Sequence, residues 1–374
     1  MRALPTLVES KRSYMRRLRI SAISYLNTAP LMWDFEHEPE RTKLREQFDL
    51  TYTIPSACAT SLRDGTADIG IIPAAAYASI PGLLILPGVA IAAQNAVRSI
   101  LLVSHKPLAQ VKSVAMDTSS MTSVALCKVL LERWLGGSRE YTPMAPDLDK
   151  MLGACDAALL IGDPALLVDR SRYVTTLDLA EEWRRSTGKP FVFAFWAVRE
   201  AAMEHVPPGL NLSKVFQRSR DHGLEALNIK EIVQEWAPRF SLSKQSVRSY
   251  LTENIHYSLD AGCLEGLRFF YESASETGAL PKVPELRFLS AGTMETGTSV
   301  MKVGSLVRLN GIPDGLEDYP DLPTKSTFEK CVGRTFVIAA FNDAGMAELG
   351  MGSVTGNAGE KIWVRPEFLD LVSS

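Results

Sequence analysis

Three short polar stretches, each following an apolar run, place side chains suited to gripping a small anion at candidate strand ends. The first is Ser24-Tyr25-Leu26-Asn27, just ahead of Pro30. A carboxamide is a directional donor and acceptor at once, so Asn27 can orient a hydroxyl or a carboxylate, with Ser24 and Tyr25 beside it. The second is Thr118-Ser119-Ser120-Met121-Thr122-Ser123, dense in hydroxyls and opening a helical stretch. Unpaired N–H groups at a helix start favour an anion, and Ser119, Ser120, Thr122 and Ser123 add donors. Ordinary N-caps would account for one or two of these hydroxyls. The third is Ile161-Gly162-Asp163-Pro164, a pattern that also suits a simple turn. Between them, Arg98 could neutralise a carboxylate, and Ser99 begins a strand beside the same site. The G-x-x-x-x-G-K-[ST] loop that cradles a nucleotide triphosphate is absent.

Such stretches cooperate only if a scaffold gathers strand ends. Apolar runs at 19–24, 50–54, 67–73, 99–104, 113–116, 157–161 and 191–197 read as strands, alternating with helical segments at 57–64 and 124–135. That alternation predicts an α/β protein with mainly parallel sheets, whose ligands bind beyond the carboxyl ends of the strands. Residues 211–279 are helical in pattern, with Val233, Trp236, Val247, Leu251, Leu264, Leu267 and Phe270 at spacings of three and four. The chain is expected to leave one lobe near Ser104 and return near Ala197. Lobe 1 then comprises 18–104 and 198–285, and lobe 2 comprises 105–197, forming a hinged clamshell. A Gly, Thr and Ser-rich connector at 286–300 precedes strand-like runs at 305–309, 335–341 and 361–364. Residues 301–374 are read as a small all-β module, an SH3-like barrel. Met301-Lys302-Val303-Gly304 resembles the start of an independent protein, which suggests a fused module.

Composition excludes several classes. The chain has 374 residues, 46% hydrophobic and 22% charged, with a formal charge of -3, so it can bury a core and offers no nucleic-acid footprint. The basic cluster at 11–19 reads as a solvated arm, and no apolar segment follows it to make a signal peptide. Cys58, Cys127, Cys155, Cys263 and Cys331 are scattered without a C-x-x-C, as expected of free thiols in a reducing compartment. No run is long and apolar enough to span a membrane, so a cytoplasmic protein without membrane contact is expected.

Taken in order, the motifs resemble the chorismate dehydratase family of the futalosine route to menaquinone. The matching residues are Ser24-Tyr25-Leu26-Asn27 with Pro30-Leu31, Ala67-Asp68-Ile69-Gly70 with Pro73, and Val97-Arg98-Ser99. They continue through Asp117-Thr118-Ser119-Ser120, Thr122-Ser123-Val124-Ala125-Leu126, Ala157-Ala158-Leu159-Leu160-Ile161-Gly162-Asp163, Glu182-Trp183 and Phe191-Val192-Phe193-Ala194-Phe195-Trp196. A sister family, the 1,4-dihydroxy-6-naphthoate synthases, is expected to open on a Pro-Asn-Asp-Thr type motif. Ser-Tyr-Leu-Asn favours the dehydratases. The resemblance implies a type II periplasmic-binding-protein-like fold and leaves residues from about 290 onward unaccounted for.

It also implies a reaction: chorismate loses its ring hydroxyl and the adjacent ring proton to give 3-[(1-carboxyvinyl)oxy]benzoate. This is a redox-neutral elimination, and no metal or organic cofactor is expected. Asn27 would orient the leaving hydroxyl, and Ser99 would contact a carboxylate or hydroxyl. The loops 118–123 and 161–163 would hold the substrate. No His or Glu stands in an evident base position within the motifs, so the enolpyruvyl carboxylate is the expected internal base, with Asp163 as the alternative. A non-catalytic carboxylate-binding protein would close on its ligand in the same way, and a homodimer is the oligomer to test.

Overall fold

The computed structural model describes residues 16–289, 301, 304–313, 316, 318, 324–341, 345–356 and 361–372. Two compact units divide the chain, Met1–Gly292 and Thr293–Ser374. In the first, β1 (Leu18–Ile23), β2 (Phe48–Thr53), β3 (Ile69–Pro73), β4 (Leu83–Ala93) and β10 (Phe191–Arg199) form a sheet in the order β2-β1-β3-β10-β4. A second sheet is made of β5 (Ile100–Ser104), β6 (Ser113–Asp117), β7 (Glu140–Met144), β8 (Ala157–Ile161) and β9 (Thr175–Asp178), in the order β7-β6-β8-β5-β9.

Each sheet has three parallel neighbours followed by an antiparallel strand. β1 runs parallel to β2 and β3, and β6 parallel to β7 and β8. β10 then pairs antiparallel with β3 and β4, and β5 antiparallel with β8 and β9. The sheets are therefore mixed rather than mainly parallel. The antiparallel members carry the chain into and out of the second sheet, so each enters its sheet from the opposite end. Their pairing also corrects the lobe boundaries. β5 belongs with β8 and β10 with β3, which moves the crossings to the segments just before Ile100 and just before Phe191.

Burial explains why the central strands are apolar throughout. Along β5, Ile100 and Leu102 face one core cluster while Leu101 and Val103 face another. Along β8, Ala157, Leu159 and Ile161 divide from Ala158 and Leu160 in the same way. Side chains alternate across a strand, so a sheet covered on both faces needs apolar residues at every position. Truncating such a residue, as in Leu159→Ala, would cost about 2–5 kcal/mol.

The connector expected at 286–300 begins as part of the first unit. Ile85 N–H donates to Arg287 O (2.7 Å) and Leu289 N–H to Ile85 O (2.8 Å), so this segment lies along the edge of β4. An edge strand presents unpaired backbone groups, and covering them is one way to blunt it. Residues 290–300 lie outside the described residues, as do 11–15 of the basic cluster and Lys302-Val303 of the fused-module start.

In the second unit, β11 (Leu306–Leu309), β12 (Thr335–Phe341), β13 (Ala347–Gly350), β14 (Lys361–Val364) and β15 (Leu369–Leu371) form one sheet in the order β14-β13-β12-β11-β15. All its described pairs are antiparallel. A helix, Thr324–Cys331, sends Phe328 and Cys331 into the core formed with Val307, Ile338, Leu349 and Val364. The unit is thus not purely β. The end strands β14 and β15 each pair with a single neighbour among the described residues, where a closed barrel would join them.

Candidate active site

The carboxyl end of β1 leads into a short 3-10 turn, Leu26–Met32, which carries Asn27. Thr28 locks its start: the hydroxyl donates to Ile23 O (2.5 Å) and Tyr25 O (2.8 Å). Leu26 N–H donates to Asp163 Oδ1 (3.2 Å), joining the turn to the end of β8. Beneath the turn lies the helix Leu212–Leu224, where a Cβ on Gly223 would overlap the Pro30 carbonyl. Only glycine permits that approach. Gly223→Ala is expected to destabilise the protein by roughly 1–3 kcal/mol through overpacking and to lower turnover by displacing Asn27. Thermal unfolding and steady-state rates check both effects.

At the end of β6, Asp117 organises the neighbouring loops. Its Oδ1 accepts from the Ser119 N–H (2.8 Å) and hydroxyl (2.6 Å), and its Oδ2 from Ile161 N–H (3.1 Å). Ser56 N–H donates to Ser119 O (3.2 Å), a second tie between the two sheets' loops. Gly162 follows β8 at φ 72, a conformation that favours glycine, and its N–H donates to Ser99 O (2.8 Å). A Cβ there would stand 3.0 Å from the Tyr25 ring. Tyr25 therefore packs directly on the third loop.

Ser99 itself is buried, and the Tyr250 hydroxyl donates to its Oγ (2.9 Å). The backbone just before it is held by Asp178, which accepts from Val97 N–H (3.1 Å) and Arg98 N–H (2.6 Å). Arg98 sits at φ 65, the left-handed region that non-glycine residues rarely occupy. Asp178 also takes the N–H groups of Ala180 (3.1 Å) and Glu181 (3.3 Å) at the start of the helix Leu179–Thr187, so one carboxylate fixes both the crossing and a helix N-terminus.

The electrostatics follow from burial. Asp163 is buried and accepts one backbone hydrogen bond, so loss of solvent lifts its pKa to about 6 against the opposing pull of Leu26 N–H. Burial likewise raises Asp117 despite its hydrogen bonds from Ser119 and Ile161. The Tyr25 phenol is raised by burial, with Asp117 and Asp163 adding to the effect and a hydrogen bond to Ser119 opposing it. Asn27 Oδ1 is buried without a hydrogen-bond partner. A buried carbonyl oxygen with no donor costs on the order of 1–3 kcal/mol, which a ligand hydroxyl placed against it would relieve.

The structure brings together Tyr25, Asn27, Ser99, Ser119, Gly162 and Asp163. It does not gather all the residues expected. Ser24 is exposed beyond β1. The Arg98 guanidinium is bonded to Ser246 Oγ (2.9 Å) and Ser246 O (3.4 Å) rather than held free for a carboxylate. Thr122 Oγ1 accepts from Ala75 N–H (3.0 Å), and Ser123 donates to Ser120 Oγ (3.4 Å). Much of the hydroxyl cluster thus serves internal bonds, because the helix Met121–Arg133 packs close against its neighbours and its polar groups need buried partners. The side chain of Ile161 lies in the core, and only its N–H acts near the loop. Tyr250, Asp117 and Asp178 were not among the expected site residues, and each has a partner far away in sequence.

Among the described residues, one cluster has metal-ligand chemistry: the donor atoms of His256, Asp260 and Cys263 lie within 4.8 Å of one another. Its bonds explain it otherwise. His256 Nε2 pairs with Asp260 Oδ2 (2.7 Å), Asp260 Oδ1 caps Cys263 N–H (2.8 Å), and burial pushes the Cys263 thiol up to about 12, away from the thiolate a metal needs.

A family model described as menaquinone biosynthesis matches residues 18–276. The chain belongs to the menaquinone biosynthesis family. A family relative from Thermus thermophilus, named chorismate dehydratase, is 30% identical over 276 residues, covering 69% of this chain and 96% of that protein. A chorismate dehydratase from Campylobacter jejuni is 30% identical over 166 residues, covering 43% of this chain and 58% of its own length. Among solved structures, the periplasmic aliphatic sulphonate binding protein of Escherichia coli aligns with TM-score 0.54 at 16% identity, over 80% of this chain and 98% of that one. The alkanesulfonate-binding protein of Xanthomonas axonopodis pv. citri aligns with TM-score 0.52 at 16% identity, over 72% and 96%. The family resemblance and the periplasmic-binding-protein-like fold expected from sequence are both borne out. Among the described residues, no helix is long and apolar enough to cross a membrane.

Proposed function

We propose that this protein is a chorismate dehydratase, a cytoplasmic hydro-lyase that converts chorismate to 3-[(1-carboxyvinyl)oxy]benzoate and water in futalosine-dependent menaquinone biosynthesis. Its family and the names of its relatives support the substrate. The observation that carries the reading is Asn27 Oδ1, buried and without a donor, beside the Ser99, Tyr250 and Asp163 groups.

Chorismate presents a hydroxyl on the ring carbon next to the one that bears the enolpyruvyl ether. Asn27 Oδ1 accepts from that hydroxyl and fixes the ring, while Ser99 holds a carboxylate. The enolpyruvyl carboxylate removes the adjacent ring proton, and the C–H electron pair becomes part of the new aromatic ring as the C–O bond breaks. Asp163, protonated, gives its proton to the departing hydroxide, which leaves as water. The enolpyruvyl carboxylic acid then returns a proton to Asp163, so the site ends as it began. The two sheets act as lobes that close over the substrate about the crossings, excluding water while charge develops.

Incubating the purified full-length chain with chorismate is expected to yield the benzoate product by mass spectrometry. The reading fails if chorismate is untouched. Consumption of a cyclic futalosine compound instead would assign the protein to the sister activity.

A further inference from the structure

Tyr250 begins a turn of π-helix, Tyr250–Asn254, that continues directly from the helix Lys244–Ser249. Ile255 N–H reaches back to Tyr250 O (3.2 Å), closing the wider turn. Single π turns of this kind recur at functional sites. Three polar residues spaced four apart project from this segment onto the crossing before β5. Ser246 receives the Arg98 guanidinium (2.9 Å to Oγ), Tyr250 donates to Ser99 Oγ (2.9 Å), and Asn254 Nδ2 donates to Ala96 O (2.9 Å). Residues four apart share a helix face, so one face of a helix some 150 positions later in the chain grips the crossing along its length.

We propose that Tyr250 is the positioning residue of the site: its phenol makes Ser99 a donor toward the substrate, while the helix face that carries it latches the crossing. The proton bookkeeping supports this. Because the phenol donates to Ser99 Oγ, the serine's own proton is left to point at a substrate oxygen. Tyr250 is 1% exposed, and burial holds its phenol well above the usual tyrosine range, so it stays protonated and cannot itself serve as a base. It acts through Ser99. The identity of the reaction rests on the dehydratase reading, whereas the role of Tyr250 rests on the geometry.

The test is Tyr250→Phe in the full-length protein, read three ways. The kcat for chorismate is expected to fall roughly 10- to 100-fold with KM changed only a few-fold, since the variant loosens orientation rather than binding. In a Ser99→Ala background the same change is expected to cost less than about 2-fold more, because residues acting as a unit are not additive. In NMR, wild type is expected to show a slowly exchanging Tyr250 hydroxyl proton, assigned by its loss in Tyr250→Phe, and Ser99→Ala to shift that signal or lose its protection. An equal fall with and without Ser99, or an unchanged kcat, overturns the proposal. If wild type does not act on chorismate, the dehydratase reading falls, and the Tyr250 hydroxyl proton decides the role of Tyr250: an unchanged signal in Ser99→Ala overturns it.

Discussion

Asn27→Ala is expected to lower kcat for chorismate by about 100- to 1,000-fold, the scale of losing one pre-aimed polar group in a closed site. Its melting temperature is expected to stay level or rise slightly. The two halves have one cause. Asn27 Oδ1 is buried with no donor, so the folded protein carries an unmet hydrogen bond that only a ligand satisfies. Removing it takes away a liability for stability and an asset for turnover. Asn27→Asp should be worse than alanine, since a third carboxylate would face a twice-charged substrate beside Asp163 and Asp117, both of which burial already shifts toward the neutral form. Steady-state kinetics and a thermal scan on the two variants decide the matter. Wild-type turnover in Asn27→Ala would remove this residue from the mechanism.

How much of this was readable beforehand depended on whether each signal was local. β8 and the ends of β1 and β6 are marked by apolar runs that stop at polar turns, so their loops could be found from neighbouring residues alone. β4 was missed because Pro87-Gly88 reads as a turn. In the structure Gly88 takes φ 79 within a bulge, where the register jumps from Ile85 opposite Ala197 to Ala90 opposite Phe195. Tyr250 was hidden for a different reason. It sits among Val247 and Leu251 in a pattern that marks a core face, and all three are buried. Nothing adjacent says that its hydroxyl meets Ser99, 151 positions earlier. Asp117 belongs to a motif that could be recognised, but its function as an organiser depends on Ile161, 44 positions later. The Thr122 hydroxyl shows the converse error. Its type and place at a helix start suited an anion, and only packing reveals that Ala75 N–H already claims it.

This division has a consequence for the charge of the site. In the proposed mechanism, with the Arg98 guanidinium bonded to Ser246, the dicarboxylate is held by N–H groups, hydroxyls and a carboxamide. Such neutral donors bind a dianion less strongly than an arginine fork, yet they leave the enolpyruvyl carboxylate basic enough to take a proton. A cation clamped on it would lower that basicity. In that mechanism, weak gripping and substrate-assisted proton removal are two sides of the same choice of residues.

Asp163 makes the sharpest case, because its two expected effects have opposite signs. Burial lifts its carboxyl to about 6, so in the free enzyme it passes from acid to carboxylate across that pH. As the proton donor to the leaving hydroxyl it is active when protonated, and kcat/KM is expected to fall as pH rises through about 6. A bound dianion disfavours a further negative charge, so the matching limb in kcat should lie at higher pH. A general base would give the reverse slope, with activity rising through the same range. Asp163→Asn keeps an acceptor for Leu26 N–H but cannot deliver a proton, and is expected to lose roughly 100- to 10,000-fold in kcat and to flatten that limb. Its stability should move the other way. A buried carboxyl with a raised folded pKa contributes stability that is full below its unfolded value near 4 and is lost as pH rises through about 6. At pH 8 wild type holds an unfavourable buried carboxylate that the amide lacks, so Asp163→Asn should be more stable there by about 2–3 kcal/mol, with the advantage vanishing below pH 4. Denaturant unfolding at pH 4 and pH 8, alongside the two pH–rate profiles, separates the roles. An Asp163→Asn enzyme that keeps its turnover and its pH limb would leave the departing hydroxide to the enolpyruvyl acid alone.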